Sequence, residues 1–150
     1  MIRKLAVFVL FSLPAFTAEK DVVAVVQALF DGMAAHDAAA ISATMLPDAR
    51  LVSVQENGAA TSIPRDDFAS RIGSAKGDYL ERIWKPKVLI KGRIAQVWAE
   101  YDFHLNGAFN HCGIDSVSLL ETKDGWKISG ISYTSEKTNC VPSPLGPPTK

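Results

Sequence analysis

The residues best suited to chemistry lie in one stretch, Arg93–Ser135. Within it, Asn106-Gly107 tolerates positive φ at both central positions of a type I′ turn, which predicts a two-residue hairpin. That register pairs His104 with Phe109, Asp102 with His111 and Glu100 with Gly113, and side chains directly opposite share a face. One face is then expected to carry Glu100, Asp102, His104, Phe109, His111 and Asp115, and the other Ala99, Tyr101, Phe103, Cys112 and Ile114. A face of carboxylates and imidazoles points either to water or to a polar cavity.

Several kinds of chemistry follow from those residue types. In a ligand pocket, Phe30, Trp84, Trp98, Tyr101 and Phe103 supply apolar walls, while His104, His111 and Asp115 orient the bound molecule. In an isomerase or cyclase, Asp115, His111 or Asp102 acts as general base and Tyr101 donates to the enolate oxygen. The expected register counts against this second use, because it sets Tyr101 on the opposite face. The spacing of His104, His111 and a carboxylate matches no zinc motif, so neither metal nor other cofactor is expected. An exposed Asp102–His111 ion pair explains those two residues equally well. A domain filled by its own side chains, serving only as a dimeric interaction module, is a further reading.

These side chains need a scaffold to position them. Asp124-Gly125 predicts a second hairpin corner, after which Trp126, Ile128, Ile131 and Tyr133 continue the sheet. Their spacing steps from even to odd across Ser129-Gly130, which predicts a β-bulge. Upstream, Val22, Val26, Leu29 and Met33 form one apolar stripe of a helix over Glu19–His36. Asp37 is placed to cap a short helix over Ala38–Leu46, which Pro47 ends. Leu51–Val54 and Thr61–Ile63 read as short strands, and Pro64 opens a third helix with Asp66 and Asp67 at its positive end. Leu80–Ile90 reads as a strand that Pro86 bends or confines to an edge.

Composition sets the outer limits. The chain has 150 residues, 47% hydrophobic and 21% charged, with a formal net charge of +0. That suits a single globular domain with its own core, and without clustered Lys/Arg nucleic acid is not an expected partner. Met1–Ala18 has a positive lead, an apolar run and small residues for cleavage, the pattern of a secretory signal peptide. The mature domain is then expected at 19–140, periplasmic or secreted, without stable membrane insertion, followed by a disordered Pro-rich tail at 141–150. In an oxidising compartment Cys112 and Cys140 are expected to form a disulfide, provided the chain curls back after Lys137.

The element order, with His36-Asp37 after the first helix, Pro47-Asp48-Ala49 before the first strand and Gly125-Trp126-Lys127-Ile128 opening the last, resembles the nuclear transport factor 2-like superfamily. Tyr101–Gly107 with His111-Cys112-Gly113 looks more specifically like its lumazine-binding and SnoaL-like branch. The resemblance implies an α+β cone, a strongly curved mixed or antiparallel sheet wrapped around a long N-terminal helix and two short ones. It also implies a pocket between sheet and helix, a small-molecule ligand and homodimerisation through the outer sheet face. It does not imply one activity, since such domains serve isomerases, cyclases, dehydratases and plain binders.

Overall fold

A computed structural model of the chain describes residues 15–148, so the leader pattern before Ala15 lies outside the described residues. Three helices come first or interleave: α1 (Ala15–Ala34), α2 (Ala38–Thr44) and α3 (Arg65–Gly73). Six strands follow the chain as β1 (Met45–Gln55), β2 (Ala60–Pro64), β3 (Tyr79–Lys91), β4 (Ile94–Leu105), β5 (Ala108–Thr122) and β6 (Gly125–Ser135). They form one sheet in the order β2-β1-β6-β5-β4-β3. Only the β1–β6 pair is parallel; the others are antiparallel, and the sheet does not close on itself. The α+β cone expected from the sequence is the architecture observed.

The apolar stripe of α1 decides which face of the sheet is inner. Val22, Val26, Leu29, Phe30 and Met33 are buried against Ala95, Val97, Val117, Leu119, Ile128 and Ile131 of the sheet. Gly32 lies where α2 crosses: a Cβ there would meet Ile41 Cγ1 and the Ile41 backbone at 3.2 Å. A helix-interior glycine costs about 1 kcal/mol relative to alanine, and here it permits that close approach. Asp37 caps α2 as expected, its Oδ1 accepting from Ala40 N–H at 2.9 Å.

Curvature comes from bulges, which bend a strand where one residue is unpaired. Ser118 pairs with Gly130 but Leu119 with Ile128, leaving Ser129 as the extra residue foreseen near Gly130. On β3 the register slips between Trp84 and Lys87, around Pro86, and β3 is also an edge strand. Boundaries differ from expectation in several places, α1 beginning at Ala15 rather than Glu19 and β1 running over Met45–Gln55 rather than Leu51–Val54. α2 gives way to β1 at Met45, ahead of Pro47, and Pro64 caps α3 rather than opening it. The second hairpin closes on Thr122 and Gly125, with Gly125 left-handed at φ 91°.

A third bulge changes the site. The Asn106-Gly107 turn forms as expected, both residues at positive φ. His104 pairs with Phe109, but Phe103 then pairs with His111, so Asn110 is unpaired. A one-residue slip moves every later side chain to the other face. Asp102 therefore faces Cys112, not His111, and Ala99 faces Asp115.

Cys112 and Cys140 are disulfide-bonded, with Cα atoms 6.0 Å apart. Cys112 pairs with Glu136 in a single bridge, and the chain turns back through Asn139 at φ 58°. Residues 141–148, expected to be disordered, carry no helix or strand; Arg82 Nη1 donates to the Gly146 carbonyl at 3.0 Å.

Candidate functional site

The slip at Asn110 brings His111 and Asp115 to the inner face beside Tyr101 and Phe103. There they line a cavity of about 150 Å³ under the C-terminal half of α1. Its walls are Leu29, Phe30 and Met33 of α1, Phe68 and Ile72 of α3, and inner residues of β1 and β3–β6. Phe30 and Asp115 are buried, whereas Phe68, Tyr79, Phe103, His111 and Tyr133 keep partial exposure.

Strand pairing explains the placement row by row. Glu81, Phe103 and His111 lie side by side across β3, β4 and β5. Ser53, Tyr133, Asp115 and Ala99 make a second row across β1, β6, β5 and β4. Between them runs Ile83–Tyr101–Gly113, where a Cβ on Gly113 would overlap the Thr134 carbonyl. Only glycine lets β6 close over β5 at that point.

The two carboxyls at the bottom of the cavity, Glu81 and Asp115, are hydrogen-bonded to each other. Two charged carboxylates side by side repel, and a proton held between them relieves that repulsion. Burial pushes the Asp115 carboxyl up to about 7, partly offset by its bond to Glu81. Burial first, then the neighbouring charge of Asp115, pushes Glu81 well above the ordinary carboxylate range. Asp115 Oδ2 is buried without a hydrogen-bond partner. Among the described residues, no lysine or arginine lines the cavity.

The remaining polar groups differ in what they can still do. Tyr101 already donates its hydroxyl to the Thr134 carbonyl at 2.7 Å, so it is committed. Tyr133 touches Ser53 and is raised above the ordinary tyrosine value by burial, yet retains a face to the cavity. His111 bonds Asn110 Oδ1 through Nδ1 at 2.8 Å, and burial, then Lys137, lower its basicity. At the rim, both ring nitrogens of His36 meet backbone oxygens, Ile72 at 2.9 Å and Gly77 at 2.7 Å. Carbonyls only accept, so both nitrogens must donate, and the two bonds raise the His36 pKa.

Of the residues expected in a pocket, Phe30, Tyr101, Phe103, His111 and Asp115 line the cavity, and Trp84, Trp98 and His104 do not. Trp84 is buried elsewhere, its Nε1 donating to Glu100 Oε2 at 2.6 Å, beside the disulfide. Trp98 is half-exposed on the outer face. His104 and Asp102 are on that outer face too but are not in water: both are buried with Arg82. The exposed Asp102–His111 pair therefore does not form. His104 and His111 end on opposite faces, which separates the ligands of the metal arrangement considered above. Glu81, Phe68, Tyr79 and Tyr133 were missed. The alternation Tyr79-Glu81-Ile83, a lone acid on an otherwise apolar strand face, was the available signal for Glu81.

A sheet curled over a long helix, with a cavity between them, defines a cone of the nuclear transport factor 2-like type. The family model described as "Putative lumazine-binding" matches residues 17–134, and the chain belongs to that family. No curated protein sequence matches it. Among solved structures it is similar to an NTF-2 like protein of unknown function from Silicibacter pomeroyi, at 20% identity and TM-score 0.65, covering 83% of this chain and 100% of that one. It is similar also to a "putative dehydratase" of the NTF2-like family from Streptomyces avermitilis, at 17% identity and TM-score 0.67, over 81% and 98% of the two chains. A third, NTF2-like with a cystatin-like fold, from Novosphingobium aromaticivorans, has 12% identity and TM-score 0.66 over 83% and 86%. At these identities the likeness is one of fold.

Proposed function

We propose that this chain is a small-molecule-binding domain whose ligand seats in the cavity under α1, against Glu81 and Asp115. The observation that carries the reading is an apolar-walled cavity with two acids, Glu81 and Asp115, in its lining, Asp115 Oδ2 being buried without a hydrogen-bond partner. Buried polar groups are normally satisfied, and a bound molecule is one way to satisfy this one. Family membership supports the reading. An apolar cavity of about 150 Å³ holds one benzene-sized ring, so the buried part of the ligand is a single ring rather than a fused steroid or polyketide.

A second reading, proton transfer on that ligand, has its own support. Asp115 is dry, adjoins an apolar wall and ionises near neutral pH, which suits a general base. Tyr101 now shares its face, but the bond to Thr134 withdraws its hydroxyl. Tyr133 is the better donor.

Export of the mature domain to the periplasm or beyond is supported by the Met1–Ala18 pattern and by the disulfide. Self-association through the outer face is supported by exposed Leu89, Ile94, Trp98 and Leu120 there. Sedimentation of Trp98→Ser against wild type tests the latter, with a lower mass expected for the variant.

Native mass spectrometry tests the binding reading. Protein purified without denaturation is expected to carry a small molecule that Asp115→Leu protein lacks, and single-ring compounds are expected to raise the thermal midpoint. Folded wild-type protein that retains nothing, and that no ring compound stabilises, would overturn it.

A further inference from the structure

The outer face shows how this fold treats a buried carboxylate that is meant to stay charged. Asp102 receives Arg82 Nε at 2.9 Å and Arg82 Nη2 at 2.6 Å, with His104 Nε2 at 3.3 Å. The inner face offers Glu81 and Asp115 nothing comparable. The titratable groups around them are Tyr79 from β3, Tyr101 from β4, His111 from β5 and Tyr133 from β6. α1 contributes only Leu29, Phe30 and Met33, and α3 only Phe68 and Ile72. Asp102 adds repulsion to Glu81, and the positive groups that act on the lining do so from outside it, Arg71 on Tyr133 and Lys137 on His111. Two acids among aromatic side chains, with no cation lining the cavity, form a site with a missing positive charge.

We propose that the cavity recognises a small organic cation, an ammonium or amidinium carried on a single ring, whose charge takes the place of the proton shared by Glu81 and Asp115. The proposal rests on the small-molecule reading above and names the ligand class. The ring fills the hollow between Phe30, Phe68 and Phe103, and the cationic N–H groups meet the Glu81 and Asp115 carboxyls. Aromatic side chains add to cation binding where a ring face is offered, and a charge-assisted bond is about twice as strong as a neutral one. Binding is an exchange: the cation enters, one proton leaves the pair for solvent, and the site's total charge is unchanged. No bond of the ligand is made or broken. A neutral ligand of equal size leaves the pair as it is and gains only the apolar contacts.

Calorimetric titration with benzylammonium and its neutral isostere benzyl alcohol tests this, each in two buffers of different ionisation enthalpy. At pH 6, where the pair holds its proton, benzylammonium is expected to release close to one proton per molecule bound, and benzyl alcohol none. By linkage the cation's affinity should rise about tenfold per pH unit up to about pH 7. Glu81→Gln and Asp115→Asn should each abolish the proton release and the cation preference. Equal binding of the two probes, or a cation preference that survives both folded variants, would overturn the proposal and leave the cavity as a site for neutral rings. Binding of neither probe would overturn it together with the small-molecule reading.

Discussion

Asp102 and Asp115 are both little exposed, at 5% and 4%, on opposite faces of adjacent strands, with Asp115 the more deeply packed of the two. They ionise in opposite directions. Burial alone would raise Asp102, but the bonds from Arg82 and His104 outweigh it and hold the carboxyl below its usual range. Burial raises Asp115 to about 7, and its neighbour is another acid. Desolvation raises both, more at the deeper Asp115, and the two differ also in whether the chain supplies a counter-charge. On the outer face it does, and the group is structural. On the inner face it does not, and the group is left for something else.

The comparison breaks first at Arg82. Removing one partner of a buried ion pair leaves a bare charge, at a cost of about 3–5 kcal/mol. Arg82→Met is expected to lose stability on that scale in urea unfolding at pH 7, and to recover part of it in acid as Asp102 protonates. A loss below about 1 kcal/mol, the value of an exposed pair, would mean that the outer cluster is solvated.

Next comes the disulfide, which ties the tail that reaches Arg82 back to β5. In the chain-entropy model its loop is worth about 3–4 kcal/mol. The Cys112→Ser, Cys140→Ser double variant should lose that amount, with the cavity's ligand binding unchanged.

Asp115→Asn should behave oppositely to Arg82→Met. A carboxyl raised from 3.8 to about 7 favours folding most at low pH. Its contribution falls as pH climbs from the unfolded to the folded value, because the unfolded chain ionises first. Wild-type stability should therefore decline between those limits, and the variant's should decline less. At pH 8 the variant is expected to be more stable by on the order of 2 kcal/mol. A destabilised variant at pH 8 would mean that ionised Asp115 has a partner.

The histidines give the smallest and most local version of the contrast. His36, held by two carbonyls, should titrate above 6.5, and His111, buried and facing Lys137, below it. NMR of the ring protons against pH reads both. By the sign of its shift, His36 steadies the rim below its unfolded value and releases it as pH rises through the folded one.

The architecture was legible because it rests on repeated local signals. The stripe Val22–Val26–Leu29–Met33, the Asp37 cap and the Asn106-Gly107 turn each specify backbone. The bulge at Ser129 was legible too, since the apolar spacing changes phase there. Asn110 gave no such warning: Phe109, Asn110 and His111 do not alternate in polarity, so an unpaired residue among them leaves no trace in the pattern. That single residue decides whether His111 and Asp115 sit with Tyr101 or against it. Glu81 was hidden for a related reason, because its role depends on β3 pairing with β4 across a bulge at Pro86. Trp84 and Trp98 looked like pocket walls, yet strand parity at even positions of β3 and β4 turns them outward.

Carboxyl carbon NMR of the ligand-free protein, followed from pH 3 to pH 9, tests the shared proton most directly. Glu81 Cδ and Asp115 Cγ should titrate together in two steps, one of them near pH 7. Two independent curves, both in the ordinary range near pH 4, would contradict the account of the cavity.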